Sequence, residues 1–241
     1  LPRGFSSLIE DGMAKGHTSL SLQAEGLKPQ KRGSNQERRA ATRAKVLDAA
    51  IMCLYEVGYS ATTTTLVAAK AGVSRGALLH QFPTKSDLMV AVTEHVVSIH
   101  NKARRETLAS IPEGLERFLA LTQTVWKTSG TPRQVTFLEI AMGARSDPEL
   151  AARLPEAALR INHEQRERVW RMAEHAGMKD RELVDVLFLL SVATMRGLAI
   201  ERMMTGNHAL IDAAMKMMLT NRERTIREHL EQVRSDSKPA E

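Results

Sequence analysis

Residues 63–85 read TTTLVAAKAGVSRGALLHQFPTK. Thr63 supplies a hydroxyl that can cap a short helix running to Ala71. Val67, Ala68 and Ala71 give that helix a narrow apolar face, and Ala68 is small enough for a second helix to approach closely. Gly72 can take the left-handed backbone that a three- or four-residue turn needs, Val73 can plug the angle between the helices, and Ser74 can cap the next one. Leu78 and Phe82, four apart, face inward as its anchors, and Pro83 ends it. The spacing predicts a helix-turn-helix over 63–82.

Such a motif places the first turn of its second helix against base edges in the major groove. Here that turn holds Arg75, Gly76 and Ala77. The Arg75 guanidinium can bond guanine O6 and N7 together, Gly76 permits close approach, and Ala77 can touch a thymine methyl. Thr63, Thr64 and Ser74, at the two helix starts, join the candidate contacts. Thr84 opens the next helix with Asp87 at the capping-box position. Lys85 in its first turn opposes the helix dipole, so a phosphate contact explains it better than a solvated lysine.

Working outward, 241 residues at 43% hydrophobic are enough for two domains, and an aromatic share of 4% with abundant Ala, Leu, Met, Arg and Glu predicts an all-α fold. Residues 1–38 are expected to be a disordered basic arm or an extension foreign to the folded protein, with Met13 a candidate start. Between Lys28 and Lys45, seven basic residues face the single acid Glu37 and account for the net charge of +6. Either a solvated arm or a phosphate-binding segment would look like this. Helical spacing runs from Arg39 to Val57 and stops at Gly58. Cys53 shares an apolar face with Val46, Ala50, Leu54 and Val57, which makes it core rather than catalytic.

Beyond the motif, Pro112, Gly130 with Pro132, the 143–148 segment, Pro155, Gly177 and Gly206 punctuate amphipathic stretches, the pattern of a helical bundle. The most apolar run, Leu183 to Met195, is interrupted by Asp185 and reads as too short to span a bilayer. Residues 180–205 and 209–233 are the longest uninterrupted pieces. Leu183, Leu187, Leu190, Thr194 and Gly197, with Leu210, Ala214 and Met217, recur on them at helical spacing and are the candidate homodimer interface. A glycine at 197 costs a helix interior about 1 kcal/mol, which points to two backbones meeting. Trp126, Phe137, Met142, Trp170 and Met172 are candidates for lining a pocket for a small apolar or aromatic ligand, or for ordinary core.

Enzyme readings find little. His163-Glu164 lacks the second histidine of a zinc-protease motif, no phosphate loop, nucleophile elbow or dinucleotide fingerprint occurs, and no histidine pair has metal-ligand spacing. No cofactor or metal is expected.

The stretch from Thr63 to Lys85 resembles the TetR family signature T-x-x-x-I-A-x-x-A-G-V-S-x-G-x-x-Y-x-x-F-x-x-K. Thr63, Val67, Ala68, Ala71, Gly72, Val73, Ser74, Gly76, Phe82 and Lys85 occupy its positions. Leu79 departs from it, replacing an aromatic whose hydroxyl meets a phosphate in relatives, and neighbouring His80 is the expected substitute. The resemblance implies a small DNA-binding domain over 39–99 and a larger effector-binding and dimerisation bundle over 100–241. It further implies a cytoplasmic homodimeric repressor on a near-palindromic double-stranded DNA operator, without a membrane partner.

Overall fold

A computed structural model describes residues 35–127 and 131–236. Among these the chain forms α1 (Asn35–Ala61), α2 (Thr64–Ala71), α3 (Arg75–Gln81), α4 (Lys85–Leu108), α5 (Leu115–Trp126), α6 (Pro132–Gly143), α7 (Pro148–His175), α8 (Arg181–Thr205) and α9 (His208–Asp236). The all-α expectation holds. The arm was placed too far along: α1 begins at Asn35, so residues 35–38 are helical, and Lys28, Lys31 and Arg32 lie outside the described residues.

Two hydrophobic cores organise the bundle. The first joins α1, α2, α3 and the first half of α4 through Val46, Leu54, Val67, Leu78, Leu88 and Val92, all with no exposed surface, and takes in Ile140 and Leu150. Each such aliphatic side chain contributes roughly 1.5–3 kcal/mol by leaving water. Cys53 lies in this core at 1% exposure, and burial pushes its thiol up. Val57 departs from the expected stripe and is exposed. The second core gathers Leu108, Phe118, Leu121, Val169, Ala173, Val184 and Ile226 from α4, α5, α7, α8 and α9. α4 runs unbroken through both.

Gly58 breaks α1 as expected, at φ 75 and ψ 175. The buried Thr62 closes the break, its hydroxyl donating to the Gly58 carbonyl at 2.7 Å. Pro155 does not act as punctuation. It lies inside α7, although a proline in a helix interior removes a hydrogen bond and costs about 3 kcal/mol. Leu150 and Ala157, buried on either side of it, hold the segment, and ion pairs from Arg153 to Asp87 and from Arg160 to Glu94 tie α7 to α4.

The apolar run of α8 is longer than the sequence reading allowed. It continues past Met195 through Leu198, Ala199 and Ile200, and α8 is long and apolar enough to cross a membrane by length and composition, with a mean hydropathy of 1.9. One side of it, formed by Val184, Leu187, Ser191, Met195 and Ala199, is buried in this chain.

Candidate nucleic-acid interface

The helix-turn-helix is built by caps, each satisfying backbone groups that a helix end would leave open. Thr63 accepts from the Leu66 N–H at 3.1 Å. Gly72 takes φ 65 and ψ 35, and the Gly72 and Val73 N–H groups return to the carbonyls of Ala69 and Ala68 at 3.2 and 3.1 Å. Ser74 accepts from the Ala77 N–H at 3.1 Å. Thr84 and Asp87 form a reciprocal capping box. Thr63 and Ser74 are thus committed to holding the helix starts, and Thr64 is half-buried in the first turn of α2.

α3 is anchored by Leu78, fully buried, with Phe82 just beyond it at 2% exposure. Its opposite side is bare: Arg75, Gly76, Ala77 and His80 are all exposed. A Cβ added to Gly76 would meet nothing within 4 Å. Glycine in a helix costs about 1 kcal/mol relative to alanine, and nothing inside the chain requires it here.

Sequence reasoning missed two side chains beside α3. A nitrogen of the Arg39 guanidinium lies 3.4 Å from His80 Nε2, and the Arg43 guanidinium sits 4.5 Å from the centroid of the Phe82 ring. Both belong to α1, so the basic segment ends beside α3 instead of trailing away from it. The signal was present in the charge run, but only the packing of α1 on α3 turns it toward this face.

Lys85 is placed differently from expectation. Its ammonium donates to the Tyr59 carbonyl at 2.7 Å and stands 3.9 Å from the centroid of the Tyr59 ring, and burial lowers its pKa. Tyr59 joins the end of α1 to α6 and to the start of α7. Its N–H donates to Glu139 at 2.8 Å and its hydroxyl donates to Asp147 at 2.6 Å. Burial first, then the Asp147 carboxylate, holds the phenol above its ordinary range. Gly143 packs flat on the ring, where a Cβ would stand 2.3 Å from the Tyr59 Cγ.

Residues 46–92 match the sequence profile of the TetR family of bacterial regulatory proteins. An HTH-type transcriptional regulator of Mycobacterium bovis is 32% identical over 120 residues, which cover 48% of this chain and 60% of that relative's own length. An HTH-type transcriptional repressor of Mycobacterium tuberculosis is 29% identical over 157 residues, 64% of this chain and 78% of that one. The crystal structure of the multidrug binding protein EbrR complexed with imidazole superposes with a TM-score of 0.52 at 25% identity, covering 81% of this chain and 97% of that one.

Over residues 46–92 this chain is similar to the TetR family.

The motif at 63–85 lies within the matched residues, while the residues expected to form a ligand site are divided among different surroundings. Trp126, Phe137, Met142, Trp170 and Met172 do not converge. Phe137 lines one cavity and Met172 another. Met142 is 58% exposed. Trp126 and Trp170 carry the guanidinium groups of Arg202 and Arg181 at 5.1 and 5.7 Å from their ring centroids. Aromatic and Met residues at helical spacing here serve packing on several faces. The cleft that Met172 lines brings Arg104, Arg105, Arg117, Arg168 and Arg171 together with Leu108, Leu121 and Val169.

The interface set divides too. Leu187 is buried in the second core at 8% exposure and Leu183 packs partly against it, because both fall on the stripe that α8 turns inward. Thr194 and Ala214 are half-buried. Leu190, Gly197, Leu210 and Met217 are exposed, and Val186, Leu189 and Met204 share their exposure. As at Gly76, a Cβ on Gly197 would meet nothing within 4 Å.

Proposed function

We propose that this chain is a sequence-specific DNA-binding transcriptional repressor, acting as a cytoplasmic homodimer on a near-palindromic operator and releasing it when a small ligand binds. The observation that carries the reading is the bare first turn of α3, where Arg75, Gly76 and Ala77 are exposed on a rigidly capped helix and Gly76 has no steric partner in the chain. Arg75 reads a base edge, Gly76 admits the groove wall, and His80 with Arg39 and Arg43 meets phosphates. Lys85 has one N–H committed to Tyr59, which leaves two for a phosphate beside the start of α4. Residues 39–99 carry this task. Residues 100–241 sense the ligand and dimerise.

The outward faces of α8 and α9, with Leu190, Gly197, Leu210 and Met217, meet their copies in a second chain. A second copy accounts for the apolar face of α8 better than a bilayer does, because the opposite face is already packed and Asp185 and Arg202 form ion pairs on the same helix. Repression is supported by the mycobacterial repressor, and a small ligand by the imidazole complex of EbrR. α6 provides a route for coupling, since Phe137 lines a cavity while Glu139 and Gly143 contact Tyr59. A coupling of about 1–3 kcal/mol would lower operator affinity roughly 5–150-fold.

Selection of bound DNA from a random pool tests the reading. The expected product is two inverted half-sites at fixed spacing, and no enrichment, or a single asymmetric half-site, would overturn it. Gly197→Leu is expected to give monomers in light scattering with weakened operator binding, and an unaltered dimer would remove this interface.

A further inference from the structure

Leu88, Val92, Val96, His100, Arg104 and Leu108 follow one another at four-residue spacing along α4, so each is a surface neighbour of the next while the row winds slowly around the helix. The four apolar members are buried. Between the buried Val96 and Leu108 this row carries the half-buried side chains of His100 and Arg104. His100 Nε2 is buried without a hydrogen-bond partner among the described residues. Arg104 donates to the neutral Asn101 amide oxygen. The charges nearest it are like charges: burial first, then Arg168 and Arg105, bring its pKa down to about 10. A cation taken out of water needs a counter-charge, and among the described residues no carboxylate is paired with Arg104.

Arg104 lines a cleft of about 600 Å³ between α4, α5 and α7 together with Arg105, Arg117, Arg168 and Arg171. Against these five guanidinium groups stand, among the described residues, Glu113 at 3.3 Å from Arg117, Glu164 at 3.4 Å from Arg168, and Glu167, which feels the charge of Arg171 and is itself bonded to Arg181. The excess is positive. Operator phosphates do not account for it, because Arg104 lies about 28 Å along α4 from Lys85 at 1.5 Å per residue. Arg104 and Asn101 also line a smaller cavity of about 160 Å³ with His100, and from there Val97 and Val125 lead on toward Phe137.

We infer that this cleft binds an amphipathic anion, its carboxylate or phosphate head held by Arg104 and Arg168 and its apolar body lying toward Val97, Val125 and Phe137. The inference rests on the ligand-responsive reading above and names the chemistry of its ligand. The anionic head replaces the purely apolar or aromatic molecule that the sequence pointed to. Guanidinium groups favour such heads because two parallel N–H bonds match a carboxylate or phosphate edge.

Titration calorimetry of the full chain with octanoate, octyl phosphate, octanol and octylammonium tests it. Octanoate or octyl phosphate is expected to bind one per chain, and whichever is tighter identifies the head group. Octanol and octylammonium should bind about tenfold or more weakly, and Arg104→Gln should weaken the anion by about the same factor. Arg168→Gln, at a partly exposed position, repeats the test if the Arg104 variant does not fold. Equal binding of octanol or octylammonium, anion binding unchanged in the variant, or no binding of either anion would overturn the site. Operator affinity measured with and without the anion separates the two readings. A bound anion that leaves operator affinity unchanged would sustain the site and overturn ligand control, whereas intact operator binding with no anion bound would overturn the site alone.

Discussion

The two cores of this chain differ in how completely they satisfy themselves. Around the helix-turn-helix, Thr63, Ser74, Thr84 and Asp87 each close a cap, and among the described residues there Ser86 Oγ is buried without a partner. In the larger region His100 Nε2, Thr131 Oγ1, Arg202 Nε and Arg222 Nε are buried and unpartnered among the described residues. Arg222 lies over the Phe118 ring at 4.7 Å, and burial lowers its pKa to about 10. Native interiors leave few polar groups unpaired. The first region presents a finished surface to its partner, and the second retains polar groups inside it that are open to one.

The largest effect that would sharpen this contrast is expected where α1 of the first region meets α6 of the larger one. Gly143→Ala forces a Cβ into the Tyr59 ring and should destabilise the chain by about 1–3 kcal/mol, seen as a melting point lowered by several degrees. Unchanged melting would mean that the regions are only loosely joined. Tyr59→Phe removes the hydroxyl bond to Asp147, a change of about 1 kcal/mol. That bond, followed by the Leu150 N–H, holds the Asp147 carboxyl below its ordinary range. A depressed folded pKa stabilises above the unfolded value, about 3.9 for Asp, and the contribution is lost as the pH falls through the folded value. The gap in stability between wild type and Tyr59→Phe should therefore be full at pH 7 and narrow below about pH 4. A constant gap would assign it to packing alone.

Gly76→Ala is the smallest change and the cleanest contrast with Gly143. Folding stability should be unchanged or raised by up to about 1 kcal/mol, while operator affinity falls. Lower stability with intact DNA binding would reverse the roles of the two glycines.

What was legible in the sequence was local. The caps, the turn at Gly72 and the break at Gly58 depend on residues within a few positions of one another, and the structure contains all of them. What was not legible depended on which helix lies against which. Pro155 reads as a break until Leu150 and Ala157 are seen to hold α7 to the core, and Leu187 reads as interface until its stripe is seen to face inward. Arg104 and Arg168 are 64 positions apart, and only the packing of α4 on α7 brings them to one cleft. One sign of that cleft was in view, in His100 and Arg104 at four-residue spacing between Val96 and Leu108.

The measurement that bears most directly on the central claim is the affinity of Arg75→Ala for the selected operator and for random DNA. Loss of a bidentate base contact should cost about 1–3 kcal/mol on the operator and relax preference at one base pair per half-site. Affinity for random DNA should change less, and melting should stay at the wild-type value because Arg75 is exposed. An equal loss on every sequence would make Arg75 a backbone contact and contradict the assignment of base reading to the first turn of α3.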